Sequence, residues 1–173
     1  MKALVVVESV FGNTRQIADA VANGIGRHMD VQVVDVRDAP AVVDGVDLLV
    51  VGGPTHAFGM TRAETRRAAA EQSGGTVTAD AVGLREWLVT LHVVGAAGAT
   101  FDTRMDRLRL PGSAAKAAGR ALRRRGVQLV ARPQTFRVVG TRGPLREGEL
   151  ARAEAWGAQL AVQLTPARPG ADA

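Results

Sequence analysis

Six consecutive residues, Ser9-Val10-Phe11-Gly12-Asn13-Thr14, combine three polar side chains with a glycine, a set suited to gripping an anion. They follow the apolar run Ala3–Val7 and lead into a stretch, Thr14 to Arg27, where Ile17, Val21 and Ile25 recur at every fourth position. A loop that leaves a buried strand and enters a helix presents unpaired N–H groups at the positive end of the helix dipole, and together these bind phosphate. Gly12 lets the backbone come close. The same residue types also cap helices that bind nothing, so the loop alone leaves both a ligand site and a plain capped turn open. Competing signatures are missing: there is no G-x-x-x-x-G-K-[ST], no G-x-G-x-x-G in the first turn, no G-x-S-x-G and no H-E-x-x-H. That disfavours an NTPase, a Rossmann dehydrogenase, a serine hydrolase and a zinc enzyme.

The elements that must position this loop are legible in outline. Ala3–Val7, Val46–Val51 and His92–Ala97 are apolar runs of the kind buried on both faces of a sheet. Val31–Val36 and Val127–Ala131 are more mixed and suit the two edges, with Pro133 just beyond the second. Helical patterns fall between them at Thr14–Arg27, Thr61–Glu71, Gly83–Leu91, Ser113–Arg125 and Glu149–Leu164, the fourth capped by Ser113. Trp87 and Trp156 sit among apolar neighbours in two of these helices and are expected in the core. The alternation predicts an α/β fold: a doubly wound, five-stranded parallel sheet of order 2-1-3-4-5, with helices on both faces. Residues 1–164 then form one domain, and the Pro/Gly-containing tail 165–173 is expected to be disordered. In such a sheet a ligand binds beyond the carboxyl ends of the strands at the switch point, which selects the loops 8–14, 52–62 and 97–104.

Taken at those three places, the residues resemble the flavodoxin family of FMN-binding proteins, short-chain type. S-V-F-G-N-T is similar to that family's phosphate loop, and Gly52-Gly53-Pro54-Thr55-His56-Ala57-Phe58-Gly59 to the loop over one face of its flavin ring. Gly98-Ala99-Thr100-Phe101-Asp102-Thr103-Arg104 stands where the family covers the other face. The resemblance implies FMN as cofactor, held by Ser9, Val10, Phe11, Gly12, Asn13 and Thr14 with mostly backbone contacts. It places Pro54, Thr55, His56, Phe58, Gly59, Thr100, Phe101 and Asp102 around the ring. Phe58 and Phe101 are the stacking candidates, because the chain has no tyrosine. His56 is expected at the ring edge or bonded within its loop, and Gly59 at a peptide able to turn its carbonyl toward a reduced flavin.

Charge departs from the resemblance. The chain carries a formal +5, and residues 101–150 alone hold 12 basic against 4 acidic side chains. Arg123-Arg124-Arg125 before Gly126 reads as a helix C-terminus whose cations complement the dipole. No aromatic interleaves with these arginines, so a nucleic-acid surface is not expected. With Arg62 and Arg104 beside the ring loops, the second reduction of a bound flavin is expected to be less difficult than in an acidic relative. No apolar run reaches the ~18 residues that span a membrane. With no cysteine and no leader-like segment, a cytoplasmic location follows as the expectation. The resemblance implies a low-potential electron carrier between a reductase and an acceptor protein. An NAD(P)H-dependent FMN quinone or flavin reductase, and a flavin-free binding module of the same fold, stay open beside it. Residues 61–91, longer than a minimal connection, could wall a substrate pocket or a dimer face, or form a surface insertion.

Overall fold

Runs of branched apolar residues need cover on both faces, and the centre of a parallel sheet supplies it. In the computed structural model, which describes residues 1–56, 59–73, 82–105 and 111–164, the two such runs are the central strands β1 (Lys2–Val7) and β4 (Leu48–Pro54). Val5, Val6 and Leu48–Val51 have no solvent exposure at all. Helix α1 (Asn13–Ile25) follows β1 and leads to β2 (Asp30–Asp35), while a short β3 (Val42–Val43) precedes β4. Then come α2 (Ala63–Ser73), α3 (Leu84–Thr90), a short β5 (His92–Val93), β6 (Ala97–Met105), α4 (Ala114–Arg124), β7 (Gln134–Val138) and α5 (Glu149–Leu164). The main sheet is parallel throughout, in the order β2-β1-β4-β6-β7. Leaving out the two short strands, that is the 2-1-3-4-5 order expected from the sequence.

Two strand assignments change. His92–Val93 pairs with Val42–Val43 in a separate two-stranded sheet, and the fourth main strand is Ala97–Met105. The residues expected as its following loop, 98–104, are therefore the strand itself. At the edge, Val127–Ala131 meets the sheet only around Gly98, whose N–H donates to the Gln128 carbonyl while its own carbonyl accepts from Val130. Pro133 cannot donate to the ladder, and pairing resumes as β7 with Phe101 opposite Gln134.

Each face of the sheet has its own core. On one, α1 and α5 cover Val5, Val7 and Val50 together with a cluster of Phe101, Phe136 and Trp156. These three rings meet edge-to-face with centroids 6.0–6.2 Å apart. On the other face α3 and α4 bring Leu84, Trp87, Leu88 and Leu122 onto Val6, Leu49 and Val51. Both tryptophans are buried, as their helical neighbours suggested. Helix α4 begins on Ser113, whose side chain accepts from the Lys116 N–H, and ends at Gly126 with φ +78°. The Val127 N–H reaches back to the Leu122 carbonyl and that of Gly126 to Arg123, which closes the helix in a Schellman turn.

α1 and α5 touch backbone to backbone. A Cβ on Gly24 would lie 2.0 Å from the Glu154 carbonyl oxygen, and one on Gly157 would lie 2.1 Å from that of Val21. A methyl group at either point must push the two helices apart. Gly24→Ala and Gly157→Ala are each expected to lower stability by about 1–3 kcal/mol in urea denaturation. An exposed control, Ala155→Gly, should shift the midpoint only by the helix-propensity amount, about 1 kcal/mol.

Candidate functional site

The loop between β1 and α1 opens at the carboxyl edge of the central strand, where the order of the sheet reverses. Gly12 is the N-cap residue of α1 at φ +85°, a backbone conformation that glycine adopts without strain, and it supplies no side-chain cap. A Cβ there would meet nothing within 4 Å, so the loop faces open space. Ser9 Oγ accepts from the Arg15 N–H at 3.2 Å and keeps its own hydroxyl proton to donate. Among the described residues, no group accepts from the N–H of Val10, Phe11, Gly12, Asn13 or Thr14. The first turn of α1 also carries no acidic residue, which leaves the positive end of its dipole uncompensated.

Neighbouring elements hold this loop in place. The Thr14 hydroxyl, buried, lies 2.7 Å from the Thr103 hydroxyl of β6. The Asn13 side-chain amide donates to the Arg142 carbonyl at 3.0 Å, and Gly143, at φ +107°, lies close enough that a Cβ would strike Asn13. Arg15 is turned to Asp19 on the exposed face of the helix and is not part of the cradle. Amides, hydroxyls and a bare helix terminus are the donor set a phosphate monoester requires, so these residues fit the group that the sequence implied.

The second loop continues from β4. Thr55 donates its N–H to the Thr103 carbonyl, and His56 and Gly59 exchange backbone hydrogen bonds of 3.0 and 2.8 Å across a tight turn. Pro54, Thr55 and His56 are half-buried, and together with Gly59 they stand at the carboxyl edge beside residues 9–14. Burial holds the His56 imidazole below the ordinary histidine value of 6.5, and the negative charge of Glu8 pulls it part of the way back. Phe58 lies outside the described residues.

The third group is corrected. Thr100, Phe101 and Asp102 are inside β6, with 0%, 1% and 0% exposure, and none can flank a bound ring. Phe101 fills the space above Gly52, where a Cβ would lie 2.0 Å from its ring. Thr100 donates to the Ala115 carbonyl at 3.0 Å. Asp102 Oδ2 accepts from the Thr55 hydroxyl, the Ser113 hydroxyl and the Ala115 N–H at 2.8, 2.6 and 3.0 Å, while Oδ1 has no partner. Its carboxylate thus adds a second acceptor to the Ser113 cap of α4 and ties that helix to the second loop. The segment that does follow β6, residues 106–112, contains no aromatic residue, so of the ring candidates read from the sequence His56 and Phe58 remain.

Glu8 was not singled out from the sequence, because one acid after an apolar run has no periodic or motif signal. It is 5% exposed; its carboxylate accepts from the Thr61 hydroxyl and, at 2.8 Å, from the Leu84 N–H. Arg66 donates to the same Thr61 hydroxyl at 3.2 Å and pairs with Glu86 at 3.1 Å. Both charged groups crowd over Gly83, where a Cβ would lie 2.2 Å from the Arg66 guanidinium and 3.0 Å from the Glu8 carboxylate. Arg85 donates to the carbonyls of Met60 and Thr61. The acid that precedes the loop at residues 9–14 is therefore turned toward α3. Among the described residues no group of three histidine, aspartate or glutamate side chains could hold a metal, and no helix is long and apolar enough to cross a membrane.

No protein-family model matches the sequence, and no curated protein sequence does. Solved structures do. The chain is similar to a flavodoxin from the domain Archaea, at 22% identity and TM-score 0.64, covering 95% of this chain and 99% of that one. Flavodoxin 1 from Bacillus cereus matches at 18% identity and TM-score 0.69, covering 95% and 100%. A flavodoxin of Streptococcus pneumoniae matches at 17% and 0.65, covering 94% and 99%. The chain has the flavodoxin-like fold.

Two outcomes follow from the site's polar groups. Asp102→Asn puts an amide where Oδ1 has no partner and weakens three accepted bonds, and is expected to cost about 1–3 kcal/mol of stability in urea titration. For His56, the unfolded chain takes up a proton near 6.5 before the folded chain does, so stability should fall as pH drops through that value. An NMR titration of the His56 ring should give a midpoint below 6.5, and His56→Gln should remove that component of the acid destabilisation.

Proposed function

We propose that this chain binds FMN by its phosphate on residues 9–14 and acts as a one-electron carrier between a reductase and an acceptor protein. The observation that supports the reading most is the row of unbonded amides at the N-terminus of α1, at the switch point of a flavodoxin-like sheet. Bound FMN would supply redox chemistry that the side chains of this cysteine- and tyrosine-free chain do not possess. Ser9 Oγ and the amides of Val10 to Thr14 would hold the phosphate; Phe11, His56 and the Thr55–Gly59 turn would border the ring. Arg62 is exposed beside the second loop, whereas Arg66 is buried and paired with Glu86, and Arg85 donates to the Met60 carbonyl. The Arg62 charge would offset the negative charge of a fully reduced flavin, and a less difficult second reduction belongs to this proposal.

The test compares FMN with riboflavin, which lacks the phosphate. Charge-assisted bonds to several amides are worth about 1.5–3 kcal/mol each, so FMN should bind at least ~100-fold more tightly. Equal affinity for the two, or no change in FMN fluorescence on mixing, sinks the phosphate assignment. Turnover of a quinone by the loaded protein with NADPH and no added reductase would replace the carrier reading with a reductase.

A further inference from the structure

Helix α4 carries four exposed cations, Lys116, Arg120, Arg123 and Arg124, and no acidic residue. Their spacing of four, seven and eight places them along one face, opposite Ala114, Ala115, Ala118, Gly119 and Leu122, which are buried against the sheet. Among the described residues none of the four has an ion-pair partner. Arg125, next in the sequence, is different: it donates to the carbonyls of Leu91 and Val89 and so holds the end of α3.

The requirements of the helix do not explain the row. Arg123 and Arg124 suit the negative end of the dipole, but Lys116 stands in the first turn, where a cation is disfavoured. Lys116 and Arg120, and Arg120 and Arg124, are like charges four apart, a spacing that weakens a helix. The row also begins close to the site. Just before Lys116, the amides of Ala114 and Ala115 are bonded to Thr55 of the second loop and to Asp102. From Lys116 to Arg124 it extends about 12 Å down the flank of the sheet, at 1.5 Å per residue.

We propose that this ridge is the docking surface for an acidic electron-transfer protein, the partner's carboxylates pairing with Lys116 at the end nearest the site and with Arg120 and Arg124 along the flank that leads away from it. The proposal rests on the carrier reading above. One electron passes between the two proteins, and no proton or group is exchanged. Charge complementarity selects the partner: uncompensated cations in a single row match an acidic protein patch, and steer its approach. A single-stranded nucleic acid fits less well, because α4 carries no aromatic side chain on which a base could stack.

The test uses the full chain loaded with FMN and a small acidic [2Fe–2S] ferredoxin as probe, with affinity read by calorimetry at two salt concentrations. The triple variant Lys116→Gln, Arg120→Gln, Arg124→Gln should bind the probe about tenfold more weakly, with a shallower salt dependence. Its FMN content and melting temperature should match the parent's, and the charge-preserving Lys116→Arg, Arg120→Lys, Arg124→Lys should restore binding. Unchanged affinity in the Gln variant overturns the ridge. So does loss of binding to a DNA duplex or to phosphatidylserine vesicles with ferredoxin binding intact. A chain that takes up no FMN yet binds the probe through the ridge supports the surface and overturns only the carrier reading.

Discussion

A helix that leaves its first amides unbonded should fray at that end, because those N–H groups have neither protein nor a cap to bond. α1 keeps such an end and is nonetheless fixed. Its far half is locked against α5 by the backbone contacts at Gly24 and Gly157. Its near end is pinned by the Thr14–Thr103 hydroxyl contact and by the Asn13 amide on the Arg142 carbonyl. The tethers use side chains and leave the main-chain donors pointing into the loop. The placement of β1, β4 and β6 around this terminus, and of the segment after β7 against Asn13, can be understood as the support that a bare helix end requires.

The same edge of the sheet shows the alternative. α4 also begins at the carboxyl ends of the strands, but its first amides are consumed by Thr55, Asp102 and Ser113. A buried carboxylate placed at that terminus both caps it and removes its positive potential. An anion arriving at this edge therefore meets one receptive helix, α1, and one that is already neutralised. Glu8 could have spoiled the difference, since it immediately precedes Ser9. Its two oxygens are instead committed to Thr61 and the Leu84 N–H, on the side away from α1.

What the sequence made legible follows from what kind of force placed each element. β1, β4, α1 and α5 are set by apolar burial, whose period survives in the residues, and their assignments hold. β6 is set in part by polar bonds. Its inward positions Thr100 and Asp102 bond to α4, and Gly98 is small so that Val127 and Leu129 can approach. Read for hydrophobic pattern, such a strand looks like a loop, and the apolar His92–Ala97 stretch before it looks like the strand. The loop at residues 9–14 was legible as a strand-to-helix turn because its residues are contiguous, whereas Glu8, Thr61, Arg66 and Leu84 are brought together only by the fold. Phe101 was misplaced for the same reason as β6, since a phenylalanine beside aspartate and threonine suggests an exposed tip unless the carboxylate has a buried partner.

The charge pattern can then be weighed by burial rather than by count. Both acids nearest the site, Glu8 and Asp102, lie in the interior, and their oxygens are bonded inward apart from Asp102 Oδ1. The cations around them are placed differently, with Arg62 exposed at the second loop and the α4 row exposed beyond it. Screening over about 8 Å at physiological salt lets an approaching molecule sense only what is near the surface. It meets the cations, while the acids act within the fold to fix α3 and α4. A flavodoxin-like chain with a bare α1 terminus and a basic flank thus separates two tasks: backbone dipoles face the loop at residues 9–14, and side-chain charge faces outward. Charges on the flank can change without disturbing the amides of α1, because among the described residues no hydrogen bond or ion pair joins Lys116, Arg120 or Arg124 side chains to that loop.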